Sequence, residues 1–183
     1  MNNFYNTLAY INETFYAPAR LTVTSVREEP QNAEYGAGLF QLNNLSVRFR
    51  VGKITPTKTG QFVVFWEKDA ERKNRALSYT DAPDLLVINT FHPVSGEIGQ
   101  FVFPKDVLRM HGVLAYGDAP GKMAMRVYPD WDTVTSKQAS AAQNWQLPYF
   151  SRVDPMNGQH MQALTRLYAP EIRMTLTSEE IQL

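Results

Sequence analysis

The stretch LSVRFRVGKITPTKTGQFVVFW, residues 45–66, joins two apolar segments of different pattern across a turn. In its first half Leu45, Val47, Phe49 and Val51 alternate with Ser46, Arg48 and Arg50. Successive side chains of a strand point to opposite faces, so this half predicts a strand with one apolar and one polar face. Lys53 falls in phase with the apolar set, and a lysine facing a core is costly unless paired. Either the strand ends at Gly52 or Lys53 enters a polar pocket. The segment 55–60, TPTKTG, reads as a turn, and 61–67 as a strand apolar on both faces, hence central in a sheet. Gly60-Gln61-Phe62-Val63 returns at Gly99-Gln100-Phe101-Val102, a single short echo and too little for a repeat architecture.

Outward from this stretch the pattern alternates between helix and strand. Phe4, Leu8, Ile11 and Phe15 recur at helical spacing behind Asn3 as a cap, and Pro18 ends that helix. Strands are expected at 21–26 and 38–42, with Asn43-Asn44 turning the chain into the segment from Leu45. A charged loop, EKDAERKNR, leads to the fully apolar run 85–91, and HPVSGEIG to a short strand at 100–103. PKDVLRMHG has Pro at its start and Gly at its end, as a short helix does. GKMAMRVYP reads as a strand with Lys122, Ala124, Arg126 and Tyr128 on one side. SKQASAAQNWQ is a helix capped by Ser136 and stopped by Pro148, and a last helix opens at Asp154-Pro155 with Met161, Leu164 and Leu167 inside. Helices framing a mixed sheet place the chain in the α/β or α+β class.

At 183 residues and 44% hydrophobic, the chain can bury one sizeable core, and one domain over 1–183 is expected. Eighteen basic residues balance eighteen acidic ones. That argues against a whole-surface grip on nucleic acid, though not against one basic groove. The absence of Cys excludes disulfides, thiolate chemistry and Cys-based zinc sites. The N-terminus lacks a basic start followed by a long apolar stretch, and FVVFW and LLVI are too short to span a bilayer. A cytoplasmic protein without a membrane partner is expected.

Arg50, Lys53, Lys58 and Gln61 form the first candidate constellation: ammonium groups and threonine hydroxyls in a turn are donors for phosphate. The plain alternative is a solvated hairpin. It is no P-loop, because it lacks the glycines that let backbone N–H groups wrap a phosphate. Trp66 and Trp145 could stack bases or simply fill a core. His92, His111 and His160 lack metal-ligand spacing, and no metal site or cofactor is expected. Pro83-Asp84 before an apolar strand and Glu97 before the next resemble half of a PD-(D/E)xK nuclease pattern. There, two carboxylates hold a metal and a lysine supports the attacking water. The second half fails here, since Glu97-Ile98 is followed by Gly99; Gln100 and Lys105 are the next polar groups.

Taken together, FRVGKITPTKTGQFVVFWEK, GQFVFPKDVL, GKMAMRVYPDWD and SKQASAAQNWQLPYF resemble the MepB-like family, over about residues 35–150. The resemblance implies a restriction-endonuclease-like α/β fold, a central mixed sheet flanked by helices. It also sharpens the pocket. Gln61 and Gln100 would open two central strands, with Lys105 starting the helix after the second. Lys122 and Arg126 would lie on the polar face of a third strand, and Asp84, Lys53 and Lys58 at strand ends. The helix adds Gln138, Gln143 and Trp145. If these ends converge, the site is a basic, glutamine-rich cleft for DNA, RNA or a nucleotide: Arg50 and the lysines on phosphate, glutamines and Trp145 on bases or sugar. Two other readings stand beside it, a divergent metal-dependent nuclease using Asp84, Gln100 and Lys105, and a small-anion or drug-sensing module.

Overall fold

The computed structural model describes residues 3–169, so the expectation of one domain over 1–183 extends at both ends outside the described residues. The chain opens with α1 (Phe4–Ile11), capped by the Asn3 side chain on the Tyr5 N–H, and continues through a wider turn over Asn12–Tyr16. Then come β1 (Val23–Glu28), β2 (Gly38–Leu42), β3 (Leu45–Val51), β4 (Lys53–Thr55) and β5 (Lys58–Val64). The charged loop carries a minimal hairpin, β6 (Glu67–Lys68) with β7 (Asn74–Arg75). After β8 (Leu85–Phe91) and β9 (Ile98–Pro104) the chain forms α2 (Lys105–Met110), β10 (Ala124–Val127), α3 (Lys137–Gln146), β11 (Phe150–Val153) and α4 (Gly158–Leu167). No described helix is long and apolar enough to cross a membrane.

The strands make two principal sheets rather than one. The larger is six-stranded in the order β1-β2-β3-β8-β9-β11, with β3 and β8 parallel and every other neighbouring pair antiparallel. The smaller has the order β10-β5-β4. The α/β class with a central mixed sheet therefore holds, with one difference. The apolar strand beginning near Gln61 is a middle strand, but of the second sheet. β11 went unforeseen: four residues between a helix and Asp154-Pro155 carry little periodicity, and pairing with β9 supplies their strand conformation.

Both faces of the larger sheet are covered, which is why residues 85–88 read as a continuous apolar run. Leu85 and Val87 face a core made with Phe4, Ile11, Phe49 and Leu164, on the side of α1 and α4. Leu86 and Ile88 face the other core, with Val63, Phe65, Phe101 and Leu108 from the smaller sheet and α2. The polar face of β3 also lies inside the molecule. Arg50 is fully buried, its Nη1 donating to Glu29 Oε2 at 2.7 Å and its Nε to the Val64 carbonyl at 2.9 Å. Arg48 meets the other Glu29 oxygen at 3.2 Å. Burial pulls the Arg50 guanidinium down to about 10; Glu29 opposes that shift and Arg48 adds to it, so the group stays charged at neutral pH. One arginine thus ties β3, the segment after β1 and β5 together.

A second buried polar chain crosses the larger sheet. The Tyr168 hydroxyl, shared with Tyr16 at 2.9 Å, donates to Gln100, whose amide donates to Asn89, whose amide in turn donates to the Arg50 carbonyl.

Removing one partner of a buried ion pair leaves the other charge uncompensated. Arg50→Met is expected to lower unfolding free energy by about 3–5 kcal/mol, read from urea denaturation. A loss no larger than that of an exposed substitution such as Lys73→Met would show that the pair does not hold the sheets together. A second expectation concerns alkaline pH. Burial raises the pKa of Tyr16 and Tyr168 in the fold, whereas an unfolded tyrosine titrates at about 10. Their contribution is fully present below that pH and is lost as pH rises above it, where the unfolded chain releases protons that the fold retains. Tyr168→Phe should flatten this decline and cost about 1–3 kcal/mol at neutral pH, since Gln100 loses a donor. Unfolding midpoints measured from pH 7 to 11 check both effects.

Candidate functional site

Packing of α3 against the smaller sheet creates a cleft of about 640 Å³. Two features set its walls. Gln146, buried near the end of α3, accepts from the Tyr128 N–H at 3.0 Å and donates to the Arg126 carbonyl at 2.9 Å. It completes the hydrogen bonding that the edge of β10 would otherwise lack. Opposite, the turn between β4 and β5 is drawn in by Arg126, whose guanidinium donates to Thr55 Oγ1 at 2.8 Å and to the Gly60 carbonyl at 3.2 Å. Gly60 sits at φ +81 with the Tyr128 ring against it; a Cβ there would lie 2.6 Å from a ring carbon. Only glycine adopts that conformation without strain and leaves room for the ring.

Five of the residues expected at the site line this cleft: Lys58, Lys122, Arg126, Gln138 and Trp145. The ammonium groups of Lys58 and Lys122, both exposed residues, have no ion-pair or hydrogen-bond partner among the described residues. None of the lining residues is Asp or Glu, in a chain whose net charge is zero. Thr135 and Ser136 add hydroxyls at the start of α3, where Ser136 accepts from the Ala139 N–H. Trp145 closes one side. Its indole stacks on the His111 ring at 4.1 Å and also packs against Phe103, so the ring is both core and cleft wall. The arrangement offers cationic and hydroxyl donors around a concave space, which suits phosphate or another oxyanion.

The other expected residues lie elsewhere. Arg50 is enclosed with Glu29, and Lys53 starts β4, pairing with Glu34 at 2.7 Å above the Tyr35 ring. The β3 strand ends at Val51, so the first of the two readings of Lys53 holds. Gln61 is buried and clasps the Phe91 backbone, donating to its carbonyl at 2.8 Å and accepting from its N–H at 3.3 Å. Gln143 donates to the carbonyls of Pro129 and Asp132, fixing the loop before α3. Of the two Gln residues of the GQFV echo, Gln61 therefore serves as a backbone substitute inside the fold, while Gln100 bonds the side chains of Asn89 and Tyr168.

Asp84, Gln100 and Lys105 are not brought together. The Asp84 carboxylate accepts from the N–H and hydroxyl of Ser46, both at 2.8 Å. Gln100 is fully buried opposite Asn89, four residues or about 13 Å further along β8 from Leu85. The Lys105 N–H does bond the Asp84 carbonyl, but its ammonium group lies over the Tyr79 ring at 5.0 Å.

Sequence reasoning overlooked Gln146, Thr135 and Ser136. The helix cap at Ser136 was the available signal for the last two, because a capped helix start concentrates unpaired donors. It also overlooked Asp132, which lines a second recess of about 380 Å³ that shares Thr57, Lys58 and Thr59 of the β4–β5 turn with the cleft. Burial raises that carboxyl, and one of its oxygens has no hydrogen-bond partner among the described residues.

Comparison with known proteins places this architecture. The MepB-like family model matches residues 29–152, which takes in the Glu29–Arg50 pair, the smaller sheet, the larger sheet apart from β1 and the last residue of β11, and the whole of α3. A solved structure described as the crystal structure of MepB is 33% identical, with a TM-score of 0.70, covering 80% of this chain and 95% of that one. No curated protein matches the sequence. With the family model spanning most of its length and a solved relative sharing its fold, the chain belongs to the MepB-like family.

Proposed function

We propose that the cleft between α3 and the smaller sheet binds phosphate groups of a nucleic acid or nucleotide, in a cytoplasmic setting and without cleaving them. One observation carries the reading: Lys58, Lys122 and Arg126 converge on a concave space that no carboxylate lines. Unpaired lysines contribute attraction that an ion pair would cancel, and polyanions reward such clustering by releasing counterions. Arg126, already engaged with the turn, supplies charge and shape; Lys58 and Lys122 are the mobile contacts. Gln138 and the hydroxyls of Thr135 and Ser136 suit sugar or further phosphate oxygens.

The volume also suits a small ligand, which keeps the small-anion reading in play. Competition separates the two. If the ligand is a nucleic acid, inorganic phosphate or pyrophosphate displaces it only at concentrations that act through ionic strength. The nuclease reading draws its support from the mixed sheet with flanking helices, taken as a restriction-endonuclease-like scaffold. Against it, the Asp84 carboxylate is engaged by Ser46 and Gln100 by Asn89 and Tyr168. A hard divalent cation needs several oxygen ligands.

The binding test is fluorescence anisotropy of labelled DNA and RNA against rising salt. Affinity should fall steeply, and Lys58→Ala and Lys122→Ala should each weaken every sequence alike and reduce the salt slope by about 1. If both variants fold and bind like the parent, the cleft is a solvated surface and the proposal fails. Mg2+ or Mn2+ should produce no cleavage of plasmid, linear DNA or RNA by the pure protein. Cleavage that disappears in Asp84→Ala would replace the binder with the nuclease.

A further inference from the structure

Building on the reading of the cleft as a phosphate site, we infer that its ligand is single-stranded. The strand continues out of the cleft over an aromatic and cationic strip made by Tyr79, Lys105, Arg109 and Tyr116. Lys105 and Arg109 lie four residues apart on α2 and so share one side of it, about 6 Å apart along the axis. The Lys105 ammonium stands 5.0 Å from the Tyr79 ring centre. The Arg109 guanidinium stands 5.0 Å from that ring and 5.1 Å from the Tyr116 ring. The two tyrosines meet edge to face at 5.3 Å, and Tyr116 is 52% exposed.

Neither cation has a carboxylate within ion-pair distance among the described residues, and the Arg109 Nε is buried without a hydrogen-bond partner. Asp106, on the same helix, is engaged by the Tyr79 hydroxyl at 2.6 Å, which holds that ring in place. Exposed tyrosine beside unpaired lysine and arginine is what a strand with free base faces requires. Bases stack on the rings and on the guanidinium plane while the cations follow the phosphates. A duplex hides its base faces, so the aromatic part of this surface would find nothing to stack on.

Two connections make the strip continuous with the cleft. Val113 and Lys122, both lining it, are joined by the Lys122 N–H on the Val113 carbonyl at 2.8 Å. The loop they close carries Tyr116, and within it Ala115 exchanges hydrogen bonds with Leu77 and Tyr79, which seats one tyrosine beside the other. On the other side, His111 at the end of α2 stacks on Trp145 of the cleft wall.

The experiment uses the full chain and labelled oligothymidylates of about three and about twelve nucleotides, with a duplex of the longer length as competitor; single-strand site sizes run from roughly 4 to 16 nucleotides. The longer strand should bind more tightly than the trimer and than the duplex. Tyr116→Ala and Arg109→Gln should each weaken the longer strand by about tenfold while leaving the trimer unchanged, and Tyr116→Phe should bind as the parent does. Thermal unfolding of each variant shows that it is folded. If folded Tyr116→Ala and Arg109→Gln bind the longer strand as the parent does, or if duplex competes equally, the strip is no part of the site. In that case, a trimer that still depends on Lys58 leaves the cleft intact. Failure of every oligonucleotide to bind at low salt overturns both readings.

Discussion

The contact on which the rest of this structure depends is the buried pair between Arg50 and Glu29. Arg50 projects from the polar face of β3 into a space closed by the smaller sheet, and its Nε reaches the Val64 carbonyl at the end of β5. Glu29, on the segment following β1, also holds Arg48. Without these charges the two sheets would meet through the Gln61 clasp on Phe91 and otherwise through apolar contacts, which do not specify a unique relative position. A guanidinium with planar, fixed donors does, because only one placement satisfies Glu29 and Val64 together. A buried ion pair is weak evidence of net stabilisation, and here its value lies in registration.

The cleft is a consequence of that registration. β5 is anchored by Arg50 at its end and by the Gln61 clasp on Phe91 at its middle, which sets where the β4–β5 turn lies. Helix α3 is held to the far edge by Gln146, and the gap between turn and helix is the cleft. Buried glutamines recur here because a primary amide offers both a donor and an acceptor. It can stand in for a backbone neighbour where strands or loops run out of partners. Such residues are committed to the fold, and the groups left for a ligand are the flexible cations at the rim. The contrast between paired Arg50 and Lys53 and unpaired Lys58 and Lys122 separates the two roles.

Much of the fold was legible beforehand because it depends on local periodicity. The alternating strand from Leu45 and the apolar strand opening at Leu85 came from side-chain pattern, the N-terminal helix from its period together with its cap and Pro18, and α3 from its Ser136 cap and Pro148. Among site residues, Lys58, Lys122, Arg126, Gln138 and Trp145 were named from the chain, partly by family resemblance, and the structure brings them to one cleft. Lys53 and Lys58 were indistinguishable at that level. Each is a lysine near a turn, and only the position of Glu34, nineteen residues before Lys53, neutralises one of them.

What the sequence determined by itself was the helices and the longer strands, the two-sided burial of the central strands and the absence of any thiolate chemistry. Those follow from composition and from periods of two and 3.6, which are local properties of the chain. The tertiary structure decided that the polar face of β3 lies inside, that the apolar strand after the turn belongs to a second sheet, and which glutamines and lysines remain free. None of these is local. An alternating pattern says that Arg48 and Arg50 share a face, but whether that face meets water or another sheet depends on a carboxylate twenty-one residues before Arg50, and the desolvation of its charge is balanced only when the fold brings the two together.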